Sequence, residues 1–277
     1  MYWWVWRELG SRLGGLCPPE TDPIFIVSPP RSGSSLFARL FAAHPRLVRW
    51  NGRGQLWGKD YHNPDLPTEL RAQDLTDADR QRMKNVLSFF QWWYSSPVLI
   101  KQVQASLKLD ASVEIFPDLK LVVLFRDGRA SVESLLRTIM ADPKRQQYPF
   151  GRYGRPKDFQ DWCMADWLEK MCHLWRTYVH RIQEAMAQLP DHRYIQVRYE
   201  DLCKDPRTEI RRVDEHLGLN PLERDWTCIP SELPNQNWKF RKNLSPMQQA
   251  AIGQRLGDLL TELGYSNLLP QDEYSFD

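Results

Sequence analysis

The apolar positions of this chain fall into short runs that alternate with helix-spaced stripes. The run Ile24-Phe25-Ile26-Val27 is too short for a helix and reads as a buried strand. After it come Ser28-Pro29-Pro30-Arg31-Ser32-Gly33-Ser34-Ser35, a tight loop, and then Leu36, Leu40 and Phe41 at helical spacing, which predicts an amphipathic helix to about Ala43. His44-Pro45 closes that element, because proline disfavours a helical residue before it. Residues 46–80 have no clean period and read as loop-rich, one wall of a cleft with Trp50, Trp57 and Tyr61 as candidate lining residues. A helix is predicted over about 77–94, then a second strand at Val98-Leu99-Ile100-Lys101 and a helix over about 105–116.

Leu119 to Phe125 is apolar apart from Lys120, the pattern of a strand buried on both faces. It ends in Arg126-Asp127-Gly128-Arg129 and passes into a predicted helix from Ala130 to Met140, so the strand, turn, helix sequence of the opening repeats. The basic, aromatic segment 142–158 is broken by Gly and Pro and reads as a mobile lid or an insertion. Apolar residues at 164, 168, 171, 175, 178, 182, 186 and 189 predict a long helix over about 158–189. Arg193 to Val197 is the next strand, Asp205-Pro206 opens a helix stopped by Gly218, and 219–244 is irregular. Ser245-Pro246 reads as an N-cap with proline in the first turn of a last helix ending at Leu263-Gly264. Strands alternating with helices imply an α/β fold, a mainly parallel sheet flanked by helices. In such sheets ligands sit at the carboxyl ends of the strands, where the loops 28–35 and 126–129 both lie.

Composition narrows this picture. The 277 residues suit one domain over 1–277, with 1–20 as an N-terminal arm closed by Pro18-Pro19. A net charge of +2 does not indicate a general nucleic-acid surface. The five cysteines are scattered and lack metal-ligand spacing, which suits reduced thiols in a cytoplasmic protein without a metal. The apolar start Met1 to Trp6 is followed by Arg7 and Glu8, too short a run for stable membrane insertion. Twelve tryptophans exceed what packing needs, so some are expected to line a substrate pocket.

A strand that feeds a helix through a small-residue loop aims backbone N–H groups and the positive helix end at one point, an anion site. Laid against the nucleotide-binding loop G-x-x-x-x-G-K-[ST], Ser28 falls on the first Gly, Gly33 on the second, Ser34 on the Lys and Ser35 on the Ser/Thr. Two of four positions fit. With Ser34 in place of the lysine, Arg31 would supply the charge, and a cradle for one phosphate and its attached group, without a triphosphate or Mg²⁺, is the better reading. A plain strand, turn and helix is the bland alternative.

Two motifs together carry a resemblance: Ser28-Pro-Pro-Arg31-Ser-Gly-Ser-Ser35 and Phe125-Arg126-Asp-Gly-Arg-Ala-Ser-Val-Glu-Ser134. The chain resembles the sulfotransferases that use 3′-phosphoadenosine 5′-phosphosulfate (PAPS), nearest to the branch with a Pro-Arg-Ser-Gly-Thr-Thr loop that includes tyrosylprotein and many microbial enzymes. The likeness extends to Ile100-Lys101, Phe116-Pro117-Asp118, Val197-Arg-Tyr199-Glu-Asp-Leu202 and Leu263-Gly-Tyr265, from about 23 to 265. It implies that Arg31, Ser32, Gly33, Ser34, Ser35 and Leu36 hold the 5′-phosphosulfate and that Arg126 and Ser134 hold the 3′-phosphate. Arg126 at a strand end suits phosphate through its planar fork; a surface ion pair with Asp127 is its bland alternative. Tyr199 resembles a family tyrosine near the cofactor, and Lys239 or Arg241, ranked equally, would close over the 3′-phosphate. Lys101 matches a family lysine near the leaving bridge oxygen. No metal is implied.

In-line sulfuryl transfer depends on positioning and fixed positive groups, here Arg31, Lys101 and the loop amides. The family's base positions carry no carboxylate between His44 and Trp57 and no histidine in Lys101-Gln-Val-Gln104. Asp60 and His62 are the nearby candidates; the alternative is an acceptor amine or guanidine nitrogen that needs little deprotonation. The expected acceptor is a small molecule, with an aromatic wall (Trp50, Trp57, Tyr61, Trp92, Trp93) and a basic lid (Lys144, Arg145, Arg152, Arg155). A nucleotide kinase on the same loop and a non-catalytic nucleotide-binding module are the competing functions.

Overall fold

The computed structural model describes residues 3–17, 23–50, 55–57, 63 and 65–265. Five parallel strands form one sheet: β1 (Ile24–Val27), β2 (Val48–Trp50), β3 (Val98–Lys101), β4 (Lys120–Phe125) and β5 (Tyr194–Arg198), in the order β2-β3-β1-β4-β5. β1 is central, with Phe25 opposite Ile100 on one side and Leu121 on the other. The chain winds from β1 to β2 and β3 on one side and then crosses to β4 and β5, so the site of that reversal lies beside β1, where open parallel sheets bind ligands.

Side-chain alternation divides the core into two layers. Phe25, Val27, Ile100, Leu121, Val123 and Phe125 face α3 (Asp77–Tyr94), α5 (Gly128–Met140), α7 (Trp167–Ala187) and α11 (Pro246–Glu262). Ile24, Ile26, Leu99, Val122, Leu124 and Val197 face α2 (Ser34–Phe41) and α9 (Pro206–Leu217). Lys120, the polar break in the apolar run of β4, reaches past the layer and donates from Nζ to the Leu217 carbonyl at 3.0 Å, the C-terminal end of α9.

Three elements differ from the sequence expectation. β2 forms inside the segment read as loop-rich, pairing Arg49 with Leu99 and Trp50 with Ile100. The long helix begins at Trp167 rather than 158, because Asp166 caps it by accepting from the Glu169 N–H. Residues 158–166 fold back on α7 instead: Asp158 bonds His173 Nε2 at 3.1 Å and Trp162 stacks on the His173 ring at 4.1 Å. Met164, counted in the helical stripe, is 96% exposed. The amino-terminal helix α1 (Trp3–Leu13) packs on α3, with Gly10 against the Val86 backbone.

The segment 142–158 contains a short helix, α6 (Pro143–Gln146), and then turns in which Phe150 and Arg155 are buried. Arg155 is not a free cation of a basic lid: its Nε donates to the Leu66 carbonyl and its Nη2 to the Asn63 carbonyl, each at 2.6 Å. The aromatic wall is corrected in part: Trp57 donates from Nε1 to Gln102 Oε1 at 3.2 Å, just past the carboxyl end of β3, and Tyr61 lies outside the described residues. Trp50 is core, edge-on to Phe90 at 4.9 Å. Trp92 and Trp93 end α3 just before the amino end of β3, away from the carboxyl ends of the strands. All five cysteines are free thiols.

Candidate active site

α2 has no side-chain cap; its N-cap is Gly33 in the left-handed region (φ 84°). By contrast Thr76 and Ser245 close capping boxes on α3 and α11. A missing cap costs about 1 kcal/mol, whereas burying Phe37 and Phe41 returns about 1.5–3 kcal/mol each. Burial therefore holds α2 and leaves its first N–H groups open to a ligand.

The loop before α2 is held in an unusual shape. Arg31 also has a positive φ (70°), which costs a non-glycine residue of order 1–2 kcal/mol. That conformation turns the Arg31 carbonyl to Arg126, whose Nη1 donates to it at 2.9 Å, and the Arg31 side chain donates from Nε to Ser134 Oγ at 3.0 Å. Gly33 is needed twice over: its φ favours glycine, and a Cβ there would lie 2.6 Å from Tyr199 Cδ2. At the back of the loop Ser106 Oγ donates to the Ser28 carbonyl and accepts from the Ser28 N–H, both at 3.1 Å.

Arg126 is 7% exposed and fixed on several sides. Its Nε donates to Asn237 Oδ1 at 2.8 Å, and its guanidinium lies 4.4 Å from the centre of the Tyr199 ring. Asn237 in turn donates from Nδ2 to Glu200 Oε1 at 2.6 Å, and Tyr265 OH donates to Glu200 Oε2 at 3.1 Å. Asp127 pairs with Arg129 at 2.7 Å, so the bland alternative of an Arg126–Asp127 surface pair does not describe this site. Burial pushes the Tyr199 phenol up to about 12, which keeps it neutral.

Lys101, at the end of β3, donates from Nζ to Ser35 Oγ at 2.9 Å. Burial, then the nearby Arg49 and Arg31 guanidinium groups, lower its pKa to about 8.

A cavity of about 340 Å³ opens beside the loop, and Lys101 stands behind Ser35 without being part of the cavity lining. Among the residues singled out in the sequence, Arg31, Gly33, Ser34, Ser35, Leu36, Arg126, Ser134, Tyr199 and Lys239 line it. Ser32 is fully buried, its Oγ has no hydrogen-bond partner among the described residues, and it is not part of the lining. Arg241, ranked level with Lys239, stands against Phe240 at 5.9 Å and is not part of the lining. Asp60 and His62 lie outside the described residues. Val103, Glu133, Arg137, Tyr153 and Gln236 complete the lining without having been anticipated. Arg137 sits one helical turn past Ser134, a spacing that pointed to it; Asn237 and Glu200, which hold Arg126, had no such signal.

The sheet order, the uncapped loop and the cationic cavity define one class of protein. A model of the sulfotransferase family matches residues 23–224, and the chain belongs to that family. It is 22% identical over 181 residues to the omega-hydroxy-beta-dihydromenaquinone-9 sulfotransferase Stf3 of Mycobacterium bovis, a match to 63% of this chain and 42% of that protein. It is 27% identical over 287 residues to carbohydrate sulfotransferase 5 of Mus musculus, matching 80% of this chain and 70% of the mouse protein. The chain thus spans about 42% of the length of the mycobacterial relatives it matches. Its fold is that of the sulfotransferase domain from the curacin biosynthetic pathway (TM-score 0.61, 18% identity, 91% of this chain and 100% of that one). It is shared with sulfotransferase STF9 from Mycobacterium avium (TM-score 0.59, 16% identity, 92% and 80%). Among the described residues no helix is long and apolar enough to cross a membrane.

Proposed function

We propose that this chain transfers the sulfuryl group of PAPS to a hydroxyl, or to an amine or guanidine nitrogen, of a small-molecule acceptor. The observation that carries this reading is the convergence of Arg31, Arg126 and Ser134, from three separate elements, in one cavity that the uncapped start of α2 also lines. That arrangement supports a ligand with two separate anionic ends. Ser34 supports it as well, since a kinase loop carries lysine at that position for the β- and γ-phosphates.

PAPS, when bound, supplies an activated sulfuryl group and a phosphate leaving group. The residues that fit it divide by position. The N–H groups of Ser34, Ser35 and Leu36, with Ser35 Oγ and Lys101, face the 5′ end; Arg126, Ser134 and Lys239 suit the 3′-phosphate. The Tyr199 ring, pressed between Gly33 and Arg126, suits a wall of the nucleotide site. Lys101 and Arg31 hold fixed positive charge where negative charge develops, so no reorganisation is needed during transfer. Asp60 and His62 are the proposed proton acceptors from the 56–65 segment. A cytoplasmic setting fits the five free thiols.

The test is incubation with PAPS labelled at sulfur and a panel of phenols, alcohols and amines. Labelled product from at least one acceptor is expected, and its loss in Asp60→Ala or His62→Ala would assign the base. Tight binding of the nucleotide with no transfer to any acceptor would favour a binding module instead.

A further inference from the structure

The proposed nucleotide runs along the sheet from β1 to β4 and β5, since the loop follows β1 while Arg126 and Tyr199 follow β4 and β5. An acceptor that meets the sulfuryl end must therefore approach over β3 and β2. Among the described residues the charged groups at the ends of those strands are Lys101 on β3 and Arg49 on β2.

Arg49 is placed by the register. It pairs with Leu99, whose side chain packs in the layer with Phe37 and Phe41 of α2, so Arg49 and Lys101 project on the α2 side of the sheet. Trp50, the next residue, is locked in the opposite layer against Phe90, which fixes the end of β2. Arg49 forms no hydrogen bond or ion pair with any described residue, and its Nε is buried without a partner. Leaving a buried donor of a charged group unmade costs more than about 1–3 kcal/mol, and a further cation, Lys101, which Arg31 also acts on, stands close by. A neutral side chain at 49 would avoid this cost. The side chain as a whole is half-buried, and an anion from outside the chain would satisfy the buried donor.

The phosphosulfate end brings one negative charge on phosphate and one on the sulfuryl group. Among the described residues Lys101, Ser35 Oγ and the open N–H groups of α2 already face these, which leaves the Arg49 charge over. We propose that Arg49 is an acceptor-binding residue, and that the acceptor carries its own anionic group, a carboxylate or a phosphate or sulfate ester, close to the nucleophile. This rests on the sulfotransferase reading. A guanidinium presents two parallel N–H groups to such an oxyanion, which gives direction as well as charge.

The test uses the full chain with 3′-phosphoadenosine 5′-phosphate (PAP) bound, so that no chemistry is required. PAP is titrated first; the absence of PAP binding would count against the sulfotransferase reading itself. Matched probes are then titrated by calorimetry: p-hydroxybenzoate with p-hydroxybenzamide, and glycerol phosphate with glycerol. The anionic member of each pair is expected to bind about tenfold tighter or better. Arg49→Gln should remove that preference while PAP still binds, and Arg49→Lys should restore part of it. Equal binding of the paired probes, no binding of either, or a preference that survives Arg49→Gln would each overturn the acceptor assignment and leave the sulfotransferase reading standing.

Discussion

Arg31 Nε donates to Ser134 Oγ at 3.0 Å across 103 residues of chain, joining the loop after β1 to the second turn of α5. This one contact joins the two motifs that stood far apart in the sequence. If both groups serve one nucleotide, Ser134→Ala removes a hydroxyl that bonds a charged group, a loss of about 1.5–3 kcal/mol or roughly ten- to hundredfold in PAP affinity. Arg126→Lys should cost at least as much, because the single nitrogen of a lysine cannot stand where Nε meets Asn237, where Nη1 meets the Arg31 carbonyl and beside a phosphate at once. Calorimetric titration of PAP checks both; unchanged affinity in Ser134→Ala would separate Ser134 from the nucleotide.

Gly33 tests the shape of the loop rather than its charge. Gly33→Ala forces a Cβ against the Tyr199 ring at a positive φ, and such overpacking costs about 1–3 kcal/mol. The expected result is lower stability in urea together with weaker PAP binding, because the ring that must move also supports Arg126. A variant with wild-type stability would show that the ring yields freely.

The lowered pKa of Lys101 makes a directional pH prediction. With a pKa of about 8, Lys101 is charged below that pH and neutral above it, so its attraction for an anion fades as pH rises through about 8. PAP affinity should fall over that range, and binding above it should take up a proton, since a bound anion favours the charged lysine. Lys101→Arg should flatten the profile, and Lys101→Gln should weaken binding below about pH 8 and approach the wild type well above it. A wild-type profile flat from pH 7 to about 10 would contradict this role.

The position of α2 depends on a buried ion pair. Arg224 and Asp214 are both fully buried and 2.6 Å apart, and Arg224 Nη1 also donates to the carbonyls of Leu40 and Phe41 at 3.1 Å, closing the C-terminal end of α2. Breaking such a pair from one side leaves an uncompensated buried charge, at about 3–5 kcal/mol. Asp214→Ala should therefore destabilise the chain by that amount in chemical denaturation. A loss under about 1 kcal/mol would mean water or a rearranged partner reaches Arg224.

Four of the five strands were legible because each is a short apolar run, and the opening loop because its residues have strong local preferences. Ile24–Val27 before Pro29-Pro30, and Leu119–Phe125 before Arg126-Asp127-Gly128, left little choice of structure. β2 was not legible: three residues, Val48-Arg49-Trp50, show no period, and only pairing with β3 makes them a strand. Asn237 was hidden for the same reason, since its bond to Arg126 spans 111 residues and joins an irregular segment to a strand end. For two of its members the aromatic wall failed on direction. Trp92 and Trp93 are rightly helical, but α3 runs toward the amino end of β3 and carries them away from the cavity.

The central claim is that this cavity takes a nucleotide with separate 5′ and 3′ phosphates. Thermal unfolding in the presence of PAP, compared with ATP and Mg²⁺, tests it most directly. Selective, saturable stabilisation by PAP, lost in Arg126→Ala, is the predicted result. Stabilisation by ATP and Mg²⁺ but not by PAP would contradict it.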